Sequence, residues 1–169
     1  MTDIDFIILD FINNIFGCNF MDFIMPKITS LGNGGFIWLA IAVGLMFSKK
    51  YRKSGIVLIA SLAIGVFIGS VVLKPLIARP RPCHVNGELP LLINIPTDFS
   101  FPSGHTMSSV SAAYVLTSAN KKLGWFAIPL AVLIAFSRLY LYVHFPSDVI
   151  AGAVIGIAIA YFAVKISKK

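Results

Sequence analysis

Polar and apolar positions in this chain alternate on the scale of whole helices. Five apolar runs, at residues 36–47, 55–73, 103–119, 123–143 and 147–164, are separated by polar or charged breaks, short except for the loop 74–102. Four of them approach the ~20 residues that an α-helix needs to cross a bilayer core, and the short run 36–47 would need residues before Gly32 to extend it. The run at 55–73 carries no charge in nineteen positions, whereas 103–119 is milder and rich in Ser, Ala and Thr. Upstream the pattern changes. Residues 3–16 mix acids and amides with large apolar side chains, and Phe6, Leu9, Ile12, Asn13 and Phe16 recur at roughly helical spacing with Asp3, Asp10 and Asn14 off that stripe. This segment is too short and too acidic to span, and is expected to lie in the membrane interface. Gly17-Cys18-Asn19 breaks it. A second short helix follows over 20–31, started or kinked by Pro26, and Leu31-Gly32-Asn33-Gly34-Gly35 reads as a turn.

The pattern therefore predicts an all-α integral membrane helical bundle in a single domain, 1–169. About five spanning helices occupy 32–169, and 1–31 form short interfacial helices; a sixth, broken span from that N-terminal pair is the alternative. Small residues at four-residue spacing, Ser61, Gly65 and Gly69, then Gly152 and Gly156, point to close helix contacts. Composition agrees: 57% of the 169 residues are hydrophobic and 12% charged, with a mean hydropathy of +0.87, which leaves no polar stretch for a separate soluble domain. The opening Met1-Thr2-Asp3-Ile4-Asp5 lacks the basic region of a signal peptide and none is expected. Cys18 and Cys83 have no metal-like spacing and are expected to be free.

The net charge of +7 changes the picture through its distribution. Nine of the fourteen basic residues form three clusters, at Lys49, Lys50, Arg52 and Lys53, at Lys121 and Lys122, and at Lys165, Lys168 and Lys169. They lie between or after apolar runs, the pattern of cytoplasmic loops rather than of a nucleic-acid surface. With five spans the clusters share one side, and all seven acids (Asp3, Asp5, Asp10, Asp22, Glu88, Asp98 and Asp148) share the other. The N-terminus is then outside and the C-terminus inside.

Three charged segments also converge on the outer side: Lys74 to Pro82, Phe101 to His105, and Ser137 to Asp148. Ionisable groups beside spanning helices are costly, roughly 2.5–3.5 kcal/mol each on insertion scales, and mark function by default. Lys74, Arg81 and Arg138 supply three cations, and the planar forks of the arginines suit phosphate or carboxylate oxygens. Pro102-Ser103-Gly104 reads as a helix start whose free N–H groups, with the Ser103 hydroxyl, make an anion site that Gly104 lets a ligand approach. His144 stands four residues before Asp148; if that turn is helical, the carboxylate orients one ring nitrogen and leaves the other nucleophilic. His105 is a second histidine, available as an acid. These parts fit phosphoryl transfer through a phosphohistidine. His144 attacks, the cations hold the equatorial oxygens, and His105 protonates the leaving group and then activates water. Carboxylates are too few for a two-metal site, so no metal and no cofactor is expected.

The same residues resemble a known family. Lys74-x₆-Arg81-Pro82, Pro102-Ser103-Gly104-His105 and Ser137-Arg138-x₅-His144-x₃-Asp148 are similar to the three-part signature of the type 2 phosphatidic-acid phosphatase superfamily, complete, in order and covering about half the chain. The resemblance implies an outward-facing site in a helical membrane bundle, with no metal. It implies His144 as nucleophile, Asp148 as its orienting partner and His105 as general acid, with Lys74, Arg81, Ser103, Gly104 and Arg138 as the phosphate cradle. Bacterial members act in the cell membrane on phosphatidylglycerol phosphate, phosphatidic acid or undecaprenyl pyrophosphate, so the implied partners are a membrane lipid phosphate and the bilayer, not nucleic acid. A transporter using His, Arg and Asp as an intramembrane relay is the competing class; it would want charges near the midplane and inverted repeats. A vanadate-binding, halide-oxidising site is a third.

Other polar and aromatic residues carry plainer expectations. Arg79, outside the signature, reads as a headgroup or surface contact; Glu88 and Asp98 read as solvated loop acids, and His84 as a solvated loop histidine. Trp38, Trp125, Tyr140 and Tyr142 read as interface belts and packing. Leu89, Leu91, Leu92, Ile93 and Phe99 would form a lid or dip into lipid.

Overall fold

The structure, a computed structural model, describes residues 2–86 and 91–168; the expectations for Glu88 and Leu89 lie outside the described residues. The helices are α1 (Thr2–Phe16), α2 (Asn19–Leu31), α3 (Phe36–Met46), α4 (Arg52–Val66), α5 (Lys74–Ile77), α6 (Pro82–Val85), α7 (Gly104–Ala119), α8 (Lys121–Tyr140) and α9 (Pro146–Ser167), and no strand occurs among the described residues. A π-helical stretch, Phe67–Leu73, joins α4 to α5. Among the described residues, three segments are long and apolar enough to cross a membrane alone: Arg52–Val85, Lys121–Tyr140 and Pro146–Ser167. The pair Asn19–Leu31 and Asn33–Met46, bent by 44°, would make a fourth. The bend falls where Gly34 and Gly35 take left-handed φ values of 58° and 69°, a conformation that glycine adopts at little cost.

Helix α7 is the hub, packed by α4, α8 and α9. Its small and hydroxyl side chains allow this. A Cβ on Gly152 would lie 2.6 Å from the Ser103 carbonyl oxygen, and one on Gly156 2.6 Å from that of Met107. From the π-helical stretch that continues α4, a Cβ on Gly69 would meet Met107 Cε at 2.3 Å. The small-residue spacing thus marks where α9 and α4 touch α7. Trp38 is fully buried and its Nε1 donates to Ser109 Oγ at 2.9 Å, so it belongs to the core rather than to an interface belt. Trp125, at 79% exposure, faces outward.

The surface is inverted relative to a soluble protein. Phe36, Phe47, Leu76, Phe126, Val154 and Ile166 are all exposed, as lipid-facing positions should be. The N-terminal helix shows the same feature, with Ile4, Ile7, Phe11 and Ile15 exposed while Leu9 and Ile12 pack inward. Tyr142 Oη donates to Asp10 at 2.8 Å and Tyr140 Oη to Asp22 at 2.5 Å, so these tyrosines fasten α1 and α2 to the end of α8. Charge is segregated by ends. Lys50, Lys53 and Lys168 border one hollow with Ser118, and Asn120 Nδ2, beside the second basic cluster, donates to Tyr51 Oη at 2.8 Å. The ion-paired acids Asp5, Asp98 and Asp148 lie with the three charged segments.

One boundary differs from expectation. The apolar run 123–143 suggests a helix to Val143, but α8 ends at Tyr140. Tyr142 turns into the left-handed region at φ 57°, and the chain reverses to begin α9 at Pro146. Hydropathy cannot register this, because Leu141, Tyr142 and Val143 stay buried after the helix has stopped.

Candidate active site

Each segment is delivered by a local backbone device. The π-helical stretch ends at Lys74, whose N–H bonds five residues back to Gly69 O. Pro75, which has no N–H, follows immediately, and Lys74 is buried. Ala78 then breaks the helix at φ 47°. Pro80 and Pro82 hold Arg79 and Arg81 away from helical geometry, and both guanidinium groups reach the start of α9. At α9 itself, Asp148 Oδ2 accepts from the Phe145 N–H at 2.9 Å, which caps the helix and aims the carboxylate backward. The positive end of α9 favours that charge.

A cavity of about 680 Å³ is walled by Lys74, Arg81, Gly104, His105, Arg138 and His144, six of the eight residues singled out above. A second, of about 220 Å³, shares Lys74, Asp98, Gly104 and His105 with it and runs between α4 and α7 past Leu62 and Met107. Another hollow, about 520 Å³ between α7, α8 and α9, is lined almost wholly by carbon and holds none of those eight. Ser103 and Asp148 stand behind the cavity wall. The Ser103 hydroxyl, expected in the anion cradle, is fully buried and capped onto Thr106, 3.0 Å from its Oγ1.

His144 is 1% exposed, and its nitrogens have different neighbours. Nε2 lies 3.1 Å from Arg81 Nη1, which can only donate, so Nε2 holds a lone pair and the proton sits on Nδ1. Nδ1 does not bond Asp148 directly; the separation is 3.7 Å. Ser100 stands between them, its Oγ 3.4 Å from Nδ1 and donating to Asp148 Oδ2 at 2.5 Å. The expected His144–Asp148 contact is therefore relayed through a serine. Burial holds His144 far below the ordinary imidazole value, to about 3; Asp148 opposes this, and the charges of Arg81 and Arg138 reinforce it. At working pH the ring is neutral.

Arg79 is not a headgroup contact. Its Nη1 donates to Asp148 Oδ1 at 2.6 Å and to Ser147 Oγ at 2.7 Å, its Nη2 to Asp5 Oδ2 at 2.7 Å, and its guanidinium lies 4.0 Å from the Phe145 ring centroid. Asp5 also accepts from the Ser147 N–H at 3.1 Å, so α1 caps α9 across the fold. Asp98 is a loop acid that remains more than half exposed, but it is also ion-paired, to both Lys74 and Arg81. Arg138 donates through Nη1 to Thr29 Oγ1, and its Nε is the one buried side-chain nitrogen or oxygen without a hydrogen-bond partner among the described residues. His105 Nε2 faces Asn33 Oδ1 at 2.9 Å, which as a carbonyl oxygen accepts its proton. A Cβ on Gly32 would lie 2.6 Å from His105 Cδ2, so the turn between α2 and α3 is shaped to that ring. Cys18 and Cys83 are both free.

Asp5, Asn33, Thr29, Arg79, Asp98 and Ser100 thus join the neighbourhood without having been named for it. Only the Arg79-Pro80-Arg81-Pro82 repeat carried a signal, since two prolines holding two arginines beside each other suggest a shared target.

Residues 54–169 match the sequence model of the family described as the PAP2 superfamily. The chain belongs to that superfamily. An undecaprenyl-diphosphatase of Sulfolobus acidocaldarius is 37% identical over 132 residues, covering 78% of this chain and 64%, less than two thirds, of that protein. Among solved PAP2-type structures, the transmembrane phosphatidylglycerolphosphate phosphatase of Bacillus subtilis superposes with a TM-score of 0.81 at 27% identity, over 99% of this chain and 86% of that one. Aquifex aeolicus LpxE gives 0.82 at 28% identity, over 94% and 93%. The helical membrane bundle is therefore shared with PAP2 proteins along nearly its whole length.

Proposed function

We propose that this protein is a metal-independent membrane lipid phosphatase that hydrolyses a phosphate monoester or diphosphate through a phosphohistidine on His144. One observation carries the reading: a buried imidazole turns its Nε2 lone pair toward Arg81 Nη1 at a cavity where Arg138 holds an unpartnered buried Nε, and that lone pair is freed for attack when the Arg81 N–H turns to a phosphoryl oxygen. A buried donor without an acceptor costs about 1–3 kcal/mol, and a phosphoryl oxygen in the cavity would relieve that cost. His144 attacks phosphorus through Nε2, and the Nδ1–Ser100–Asp148 relay stabilises the charge that grows on the ring. Lys74, Arg81, Arg138 and the N–H groups at Gly104 hold the phosphoryl oxygens. His105 protonates the leaving oxygen and then draws a proton from the attacking water, Asn33 fixing its ring.

The smaller cavity between α4 and α7 adjoins His105 and Lys74 and offers an apolar path for the lipid end of the substrate. Charge gathered at helix ends favours this reading over an intramembrane relay. The end bearing Asp5, Asp98 and Asp148 faces outward and the lysine-rich end faces the cytoplasm, following the positive-inside rule. The Sulfolobus relative makes a polyprenyl diphosphate the first substrate to try.

The test is phosphate release in detergent from undecaprenyl pyrophosphate, phosphatidylglycerol phosphate and phosphatidic acid, with and without EDTA. Release from at least one, undiminished by EDTA, is expected. Release from none, or loss on chelation that Mg²⁺ restores, contradicts the proposal.

A further inference from the structure

Asp98 lies in the connection between α6 and α7, yet its carboxylate sits in the cation cradle. Oδ1 accepts from Arg81 Nη2 at 2.7 Å, Oδ2 accepts from Lys74 Nζ, and its backbone carbonyl accepts from Arg81 Nε at 2.8 Å. The rest of the Arg81 fork is also engaged. Nη1 donates to Val143 O at 2.6 Å and faces His144 Nε2, while Nη2 is 3.4 Å from Phe99 O. A guanidinium has five N–H donors and an ammonium three. All five Arg81 donors are engaged, so a phosphate that bonds the outer edge of Arg81 must take the place of the Asp98 carboxylate there, the same carboxylate that Lys74 bonds through one of its three donors. Arg138 Nε stands ready without any exchange.

Three features fit Asp98 for leaving. It is on a loop, its side chain is 56% exposed, and it belongs to none of the buried apolar clusters among the described residues. It is also fully ionised at working pH: despite partial burial, Lys74 and Arg81 hold its carboxyl down at about 2.

We propose that Asp98 determines the anion specificity of the phosphate site by acting as a built-in competitor. Its carboxylate occupies the Lys74–Arg81 face in the resting enzyme, yields it to the lipid phosphate, and takes it back as inorganic phosphate departs. The charge balance explains the selectivity. Lys74, Arg81 and Arg138 contribute three positive charges and Asp98 one negative. A monovalent anion that displaces Asp98 only exchanges one charge for another, whereas a phosphate dianion brings a second charge to the cradle. The same competition limits inhibition by product. This inference rests on the cradle reading above.

The rival role for Asp98 is to brace Lys74 and Arg81 in position, and it predicts the opposite sign. The experiment compares wild type with Asp98→Asn and Asp98→Ser in the full chain. It measures the inhibition constants of inorganic phosphate and of nitrate against lipid phosphate hydrolysis, and direct vanadate binding by vanadium NMR. Competition predicts about tenfold tighter phosphate and vanadate binding in both variants, with nitrate becoming an inhibitor. Unchanged or weaker binding overturns it, as does unfolding of both variants, which would mark Asp98 as a structural brace. An inactive wild type that binds no vanadate sinks the phosphatase reading itself; an active wild type with unaltered variants sinks only the competitor.

Discussion

Replacing His144 with Asn is expected to lower phosphate release by about 10⁴-fold or more while the protein still folds. Removing one member of a nucleophile–base unit costs about as much as removing the whole unit. Asn retains a small polar group near Ser100, but its amide nitrogen has no lone pair with which to attack phosphorus. The fold should tolerate the change. His144 is neutral and sits in a loop turn between α8 and α9, so no buried charge loses its partner. The Arg81 Nη1 that faced it keeps Val143 O at 2.6 Å. Lipid phosphate assays, size-exclusion profile and melting temperature check the two halves of this statement together. Retention of more than a few per cent of activity would exclude His144 as nucleophile. Loss of fold would move the residue from chemistry to structure.

Replacing Arg79 with Gln is expected to reduce kcat by about 100-fold with little change in KM, because its target is the carboxylate behind His144 and not the substrate. A displacement of about 1 Å in a catalytic group costs on that order. Asp148 is wholly buried and, among the described residues, takes its one full counter-charge contact from Arg79 Nη1; Ser100 and the Phe145 N–H are neutral donors. Breaking a buried ion pair costs about 3–5 kcal/mol, and the two surviving hydrogen bonds place this case at the lower end, seen as a lower melting temperature. Lys at position 79 should not rescue. One ammonium cannot span Asp148, Ser147 and Asp5 as a planar fork does, and the stacking on Phe145 would go as well. A headgroup contact, which the sequence position alone suggests, would raise KM and leave kcat intact. The kcat against KM split therefore separates the two roles.

Much of this was legible in the chain before its fold was known. The apolar runs locate the long helices because membrane burial is written in continuous hydropathy. The glycines at 152 and 156 locate the α7–α9 contact, since only a missing Cβ permits backbones so close. Lys74, Arg81, His105, Arg138 and His144 stand out because ionisable groups beside greasy helices require a reason. What escaped was pairing across distance. Asp5 and Arg79 are 74 positions apart, and nothing local to Asp5 distinguishes it from Asp3 or Asp10. Ser100 is one more serine in a loop until the turn at Tyr142 brings His144 beside it. Asp98 reads as a solvated acid for the same reason, as loop sequence carries no period to say which way a side chain turns. Ser103 shows the converse. A serine at a helix start can serve a ligand or its own helix, and here the hydroxyl serves Thr106.

The central claim is that His144 becomes covalently phosphorylated, and trapping that species tests it most directly. Wild type and a His105→Ala variant are mixed with a lipid diphosphate labelled in its terminal phosphorus, quenched in alkali, digested and mapped. The lipid monophosphate released when the anhydride P–O bond breaks is a good leaving group that depends less on an acid, so the variant should form the intermediate and fail to hydrolyse it. The account predicts base-stable, acid-labile label on the peptide containing His144, accumulating in His105→Ala and absent from His144→Asn. Label on His105, or turnover in the wild type with no labelled peptide at any quench time, would contradict it.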